Sequence, residues 1–312
     1  MNRRQFLSLT SRATLGTIAG AGIFSSMQAG VSCLINRQTI TLEGLAPAFE
    51  GFRVALLSDF HFSPWITTEY LRRVVAMTNA LQPDLIVVVG DYVNHNGRKW
   101  APGCMRELAA LSSPHGVFGV LGNHDHYQHG ESHVRKAMHR AGIFDLTNTA
   151  ITLQRDGQAF HLGGVGDLWH ERQKLPEAIG SSRTPRSVVL LSHNPDYAER
   201  IHDDRVGLVL SGHTHGGQCV FPFVGALRTS SRYGSKYLAG LCLAPATQVF
   251  VTRGVGASFP AIRIGAPAEV ALLTLQRSAA CPRQPLFTRS LVLRQSRAIL
   301  TSVRNGGVLA ST

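Results

Sequence analysis

The run Leu85-Ile86-Val87-Val88-Val89, closed by Gly90-Asp91, constrains this chain more than any other segment. Its five apolar residues include four β-branched ones, and a strand with one wet face would alternate apolar and polar residues. A strand that does not alternate is covered on both faces, as in the parallel sheets of α/β proteins. Similar short runs at 52–58, 116–122, 159–163, 187–192, 207–212, 248–252 and 269–275 read as further strands, with helical patterns at about 67–81 and 103–111 between the first three. Helices thin out towards the later strands, which implies a second sheet packed on the first. At 312 residues and 44% hydrophobic content the chain can bury a core of that size.

Polar residues follow five of these strands at once: Asp59, Asp91, Asn123, His193 and His213. In open α/β sheets the carboxyl ends of the strands share one rim, where ligands bind. Each residue alone reads as a turn residue. The set of five points to one place. In Asp59-Phe60-His61 an extended chain puts carboxylate and imidazole on one face, suited to holding one metal. Gly90 lets the chain bend before Asp91 and frees that carboxylate to bridge two cations. Gly122-Asn123-His124-Asp125 offers a neutral oxygen ligand beside an imidazole, and Gly212-His213-Thr214-His215 offers two imidazoles in alternation.

The order Asp-x-His, Gly-Asp, Gly-Asn-His-Asp, a single His, then Gly-His-x-His resembles the calcineurin-like metallophosphoesterase family over residues 52 to about 275. The string Gly-His-Thr-His-Gly-Gly-Gln at 212–218, with Tyr233-Gly234-Ser235-Lys236-Tyr237 and Arg253-Gly254-Val255-Gly256, is similar to its exported bacterial branch. The resemblance implies an α/β fold, a four-layer α/β/β/α sandwich of two mixed sheets flanked by helices, with the metal site at strand ends. It implies Asp59, His61 and His215 on one metal, Asn123, His193 and His213 on the other, Asp91 between them, and His124 as the catalytic residue that is not a ligand. Two departures stand out. His126 replaces a common aromatic residue and touches on the leaving-group pocket, and the stretch 265–269 is looser than usual in a segment taken to lie away from the ligands.

The net charge of +12 suggests an anionic partner until it is placed along the chain. Four Arg and no acid fall in 1–42, and six Arg and no acid in 276–312, so ten of the twelve excess charges sit at the ends. A nearly balanced centre gives no nucleic-acid groove. Arg3-Arg4, followed by a mild apolar stretch from 13 to 35, reads as a twin-arginine export signal, either cleaved or kept as a membrane anchor. The expected organisation is a signal or anchor over 1–42, a phosphoesterase domain over 43–275 and a loose basic tail over 276–312, in a protein outside the cytoplasm that meets the export machinery and the membrane surface. Five cysteines without C-x-x-C spacing indicate neither a disulfide framework nor a zinc-thiolate cluster.

The expected chemistry is phosphoester hydrolysis with two divalent ions, Mn, Fe or Zn, since a mixed oxygen and imidazole set suits these better than Mg. Ions roughly 3.5–4 Å apart would activate a bridging water for in-line attack, and His124 would protonate the leaving oxygen. The likeness to the exported branch favours a phosphodiester or pyrophosphate of lipid or envelope origin, of the UDP-2,3-diacylglucosamine type. The competing readings are a metal-dependent amidohydrolase, whose His-x-His is expected at the first strand rather than late in the chain, and a non-catalytic envelope-binding protein with a structural metal.

Overall fold

The computed structural model describes residues 32–278. Two six-stranded sheets form the centre. The first has the order β1-β14-β2-β3-β4-β5, built from β1 (Cys33–Leu42), β2 (Arg53–Leu57), β3 (Leu85–Val89), β4 (Val117–Val120), β5 (Ile143–Asp145) and β14 (Ala268–Arg277). The second has the order β12-β13-β9-β8-β7-β6, from β6 (Thr149–Arg155), β7 (Gln158–Gly164), β8 (Val188–Leu191), β9 (Val206–Ser211), β12 (Gly240–Leu243) and β13 (Gln248–Val251). Strands β2 to β5 run parallel, as do β7, β8, β9 and β13, while β14 runs antiparallel to β2, and β6 and β12 antiparallel to their neighbours.

The period-two geometry of a strand sorts its residues into layers. Val54, Leu56, Leu85, Val87 and Val89 face the second sheet, where they meet Leu162, Val189, Leu191, Leu208, Leu210 and Phe250. Ala55, Leu57, Ile86 and Val88 face outwards and are covered by α1 (Thr68–Ala80), α2 (Gly97–Leu108) and, beyond the four-residue turn α3 (Asn123–His126), α4 (Glu131–Arg140). The outer face of the second sheet is capped more thinly, by α5 (Leu175–Ile179) and a 3₁₀ turn at Pro195–Arg200. This is the expected four-layer sandwich of two mixed sheets flanked by helices. Helix α1 starts where the Thr67 hydroxyl accepts from the Tyr70 N–H, and buries Leu71, Val74, Val75 and Thr78 at helical spacing. Helix α2 starts six residues earlier than the sequence suggests: Asn96 caps it by accepting from the Lys99 N–H, and Pro102 is accommodated inside it.

The first boundary needs correction. Residues 33–42, placed by sequence in the leader, form β1, which pairs with β14 along its length. Ile40 and Leu42 are fully buried in the core between the sheets. The apolar stretch from 13 to 35 therefore does not act as one unit, because its last three residues belong to the sheet. Strand β14 likewise runs two residues past the expected end of the domain at 275. The signal itself and the tail from 279 onward lie outside the described residues, and no described helix is long and apolar enough to cross a membrane. Cys33, Cys104, Cys219 and Cys242 are free thiols.

Truncating a buried leucine leaves a cavity, so Leu42→Ala is expected to cost about 2–5 kcal/mol. In urea titrations a chain beginning at residue 43 should unfold at a lower midpoint than one beginning at residue 32. Equal midpoints would show that β1 is dispensable to the domain.

Candidate metal centre

Parallel strands deliver their carboxyl ends to one rim, and the loops leaving them are tied in pairs. The Asp59 N–H donates to the Gly90 carbonyl and the His61 N–H to the Asp91 carbonyl, which joins the loops after β2 and β3. Across the rim the Gly212 N–H donates to the His193 carbonyl, joining the loops after β8 and β9. Asp59, His61, Asp91, His213 and His215 all have positive φ, between 47° and 71°. Left-handed backbone costs a residue with a side chain about 1–3 kcal/mol, so five instances in one rim mark a place where side-chain direction outweighs local stability.

All eight residues singled out by sequence are brought together. Asp59, His61 and His215 form one group of converging donor atoms, and Asp91, His193 and His213 another. The Asn123 Oδ1 lies 3.1 Å from His193 Nε2, which adds it to the second group. Asp91 Oδ2 stands 3.5 Å from His61 Nε2 and 3.3 Å from His193 Nε2, between the two groups. His124 stands beside His61 and Asp91, half-buried, with Nδ1 held 2.5 Å from the Asn94 carbonyl. Its own backbone N–H donates to Asp91 Oδ1 at 2.8 Å.

Burial and charge act against each other throughout the site. Burial alone would raise the Asp59 and Asp91 carboxyls, yet His215 and His61 beside Asp59, and His193 and His124 beside Asp91, hold both below the ordinary carboxylate range. Burial would lower His193, but the Asp91 and Asp59 carboxylates push it up to about 10. His213, buried and facing His193, falls to about 4. Imidazole nitrogens face each other in two pairs, His61 Nε2 with His215 Nε2 at 2.9 Å and His193 Nε2 with His213 Nδ1 at 3.2 Å. Facing lone pairs are stable only with a proton or cation to share. The buried nitrogens His61 Nδ1 and His213 Nε2 also lack partners among the described residues. Two carboxylates, an amide oxygen and four imidazoles in a dry pocket fit borderline divalent cations.

Glycine is required where the loops touch. A Cβ on Gly122 would stand 2.3 Å from Asp91 Oδ1 and 2.8 Å from His193 Cε1, and one on Gly212 would stand 2.4 Å from Asp59 Oδ2. Asp125 acts as a brace: its carboxylate accepts from the N–H groups of Gly122 and Val93, tying the Asn123 turn to the chain beyond β3.

Several contributors escaped the sequence reading. The Arg263 side chain is fully buried behind His215. It donates to the carbonyls of His215, Ala266, Arg253, Gly254 and Gly256, with Nη2 3.3 Å from His215 Nδ1. Because one guanidinium nitrogen holds both the His215 and Ala266 carbonyls, the stretch at 265–269 lies against the ligand cluster, not away from it. Trp169 meets His213 edge to face at 4.7 Å, and the Tyr127 hydroxyl accepts from Asn123 Nδ2. Nothing in the sequence ties Trp169 or Arg263 to a motif. His126 stacks on His170 and approaches Glu171, and it is not among the residues that line the cleft over the site.

Comparison with known proteins identifies the family. The sequence profile described as calcineurin-like phosphoesterase matches residues 52–217. The chain is 30% identical to the uncharacterized metallophosphoesterase YkuE of Bacillus subtilis over 285 residues, 88% of this chain and 98% of that one. It is 32% identical to the phosphodiesterase YaeI of Escherichia coli over 278 residues, 88% of this chain and 99% of that one. Among solved structures, the Haemophilus influenzae NAD nucleotidase NadN aligns with a TM-score of 0.41 at 13% identity, covering 64% of this chain and 44% of that one.

Gly122→Ala is expected to fold, by circular dichroism, while binding Mn at least about tenfold more weakly in calorimetric titration, the scale seen when ligand orientation is disturbed. Unaltered affinity would mean that the Asp91 carboxylate can move aside. Arg263→Met strands buried carbonyls and should lower unfolding free energy by about 3 kcal/mol or more in urea; a loss under 1 kcal/mol would remove Arg263 from the support of the site.

Proposed function

The chain belongs to the calcineurin-like phosphoesterase family, and from that premise we propose that it is a phosphodiesterase using two divalent ions, with a lipid-linked or other envelope phosphodiester as substrate. As a member of the family it is a metal-dependent phosphoester hydrolase. The observation that carries the finer reading is the position of Asp91 between two donor groups, with His124 at the open side. Asp59, His61 and His215 would hold one ion, Asn123, His193 and His213 the other, and Asp91 both. Divalent ions held there supply positive charge to the phosphoryl oxygens and acidify the attacking water.

The chain's own groups do the rest. His124 donates its Nδ1 proton to the Asn94 carbonyl, which leaves Nε2 as its free nitrogen; Nε2 would protonate the leaving oxygen from the doubly protonated ring, a form that burial disfavours and the neighbouring Asp91 carboxylate favours. Backbone N–H groups of His213 and His124 donate to Asp59 and Asp91 and keep those carboxylates aimed without adding charge. A cleft of about 360 Å³ opens over the site, lined among others by Tyr127, Trp169, Leu227, Arg228 and Phe259. The apolar share of that lining supports a lipid arm on the diester. That the Escherichia coli relative YaeI is named a phosphodiesterase supports the same choice. Arg3-Arg4 supports export by the twin-arginine route, with the leader confined to residues before β1. Family membership leaves the amidohydrolase reading without support.

Purified, Mn-loaded protein should hydrolyse bis-p-nitrophenyl phosphate, lose this after dialysis against a chelator and regain it with Mn, Fe or Zn. Asp91→Asn should lose both metal content and activity. His124→Ala should keep its metals, counted by elemental analysis, while kcat falls by roughly 10²–10⁴. Full activity in Asp91→Asn would place the chemistry elsewhere, and equal turnover of lipid-linked and soluble diesters in the presence of membranes would exclude the lipid assignment.

A further inference from the structure

The rim of the cleft carries apolar side chains that no part of the described chain covers. Strands β10 (Val220–Phe221) and β11 (Gly225–Ala226) form a two-stranded hairpin immediately after the Gly212-His213-Thr214-His215 loop. At its tip Phe223 is 110% exposed and Val224 70%, and Leu227, just past the hairpin, is 66% exposed. Phe259, at 73%, and Trp65, at 65%, stand together nearby with ring centroids 6.5 Å apart. Leu227 and Phe259 line the same cleft as Asp91 and His124. Leu227 and Phe259 thus stand exposed at the cleft itself, with Trp65 against Phe259 and with Phe223 and Val224 on the adjoining hairpin, whereas exposed apolar residues scattered singly would need no explanation.

Charge says what covers them. From residue 205 to 268 the sequence contains six basic residues and no Asp or Glu. Arg205, Lys236 and Arg253 pair with Asp203, Glu199 and Glu269, and Arg263 is buried. The remaining two, Arg228 and Arg232, follow the hairpin directly and are exposed. An apolar tip with aromatic neighbours and flanking arginines is the composition of a surface that enters the interface of an anionic bilayer, rings at headgroup depth and guanidinium groups on the phosphates.

We propose that the β10–β11 hairpin, with Trp65, Leu227 and Phe259, docks the mouth of the cleft onto an anionic lipid bilayer. The tip enters the acyl boundary and Arg228 and Arg232 engage the lipid phosphates. A diester drawn from the membrane then reaches the metal centre without crossing water. Only this last consequence rests on the phosphodiesterase reading; the docking itself does not.

The test is hydrogen exchange of the full chain, read by mass spectrometry on peptides spanning 219–228, with and without vesicles of phosphatidylglycerol and phosphatidylethanolamine. Because the readout is local, binding by any other part of the chain does not mimic it. Exchange at 219–228 is expected to slow at least about threefold when vesicles are added. The double variant Phe223→Ser/Val224→Ser should lose that protection, need about tenfold more lipid for half-maximal response, and hydrolyse soluble bis-p-nitrophenyl phosphate as the wild type does. Unchanged exchange at 219–228 in the presence of vesicles overturns the proposal. Protection that grows with protein concentration in the absence of lipid also overturns it and assigns the face to a second copy of the chain. If the wild type turns over no soluble diester, the phosphodiesterase reading fails, while the exchange result still decides the docking.

Discussion

Two carboxylates, Asp59 and Asp91, are buried at the seam between the sheets, where an isolated charge is costly. Much of the architecture near them serves to make that burial tolerable. Backbone N–H groups of His213 and His124 donate to them, and imidazoles stand within reach of both. Facing imidazole nitrogens and unpartnered ring atoms beside the carboxylates are the chemistry of a cage for a shared cation.

Keeping those side chains convergent requires strain, and the strain is distributed. Five residues of the rim take left-handed backbone conformations, which the body of the sandwich can sustain because its strands are covered on both faces. The connection from β13 to β14 completes the support. Gly254 and Gly256 let it pass against Asp59 and Phe60, and Arg263 gathers five carbonyls under His215. Glu269, buried at the start of β14, accepts from Thr252 and from the Arg253 N–H, and receives Asn36 of β1 on its other oxygen. The first and last strands of the domain are thus linked through side chains to the segment that braces the metal cage.

The cleft joins this rigid base to a different kind of surface. Its floor is polar and buried; its mouth is apolar, exposed and flanked by arginines. Catalytic precision and membrane contact place opposite demands on a loop, and here they fall on neighbouring but separate segments. The His213–His215 loop is held by Asp59 and Arg263, while the hairpin beyond it is joined to the body at Val220, whose N–H donates to the Ile264 carbonyl, and turns Phe223 and Val224 outwards.

The sequence by itself determined the layered α/β class, because an unbroken β-branched run has only one kind of environment, and it singled out eight residues that the structure brings together, because strand-end motifs in a parallel sheet must share a rim. It did not reveal β1, since Cys-Leu-Ile and a following polar alternation look the same as the end of a leader until β14 is beside them. It could not assign Arg263 or Trp169, because neither has a local signature: each acts through a neighbour 48 or 44 residues away in the chain. The apolar mouth was equally hidden, for Phe223 and Phe259 belong to no motif in the sequence. Periodicity reports how a residue sits in its own element. Which side chains of distant segments meet, and which are left facing outwards, depends on the packing of the two sheets and was decided only by the tertiary structure.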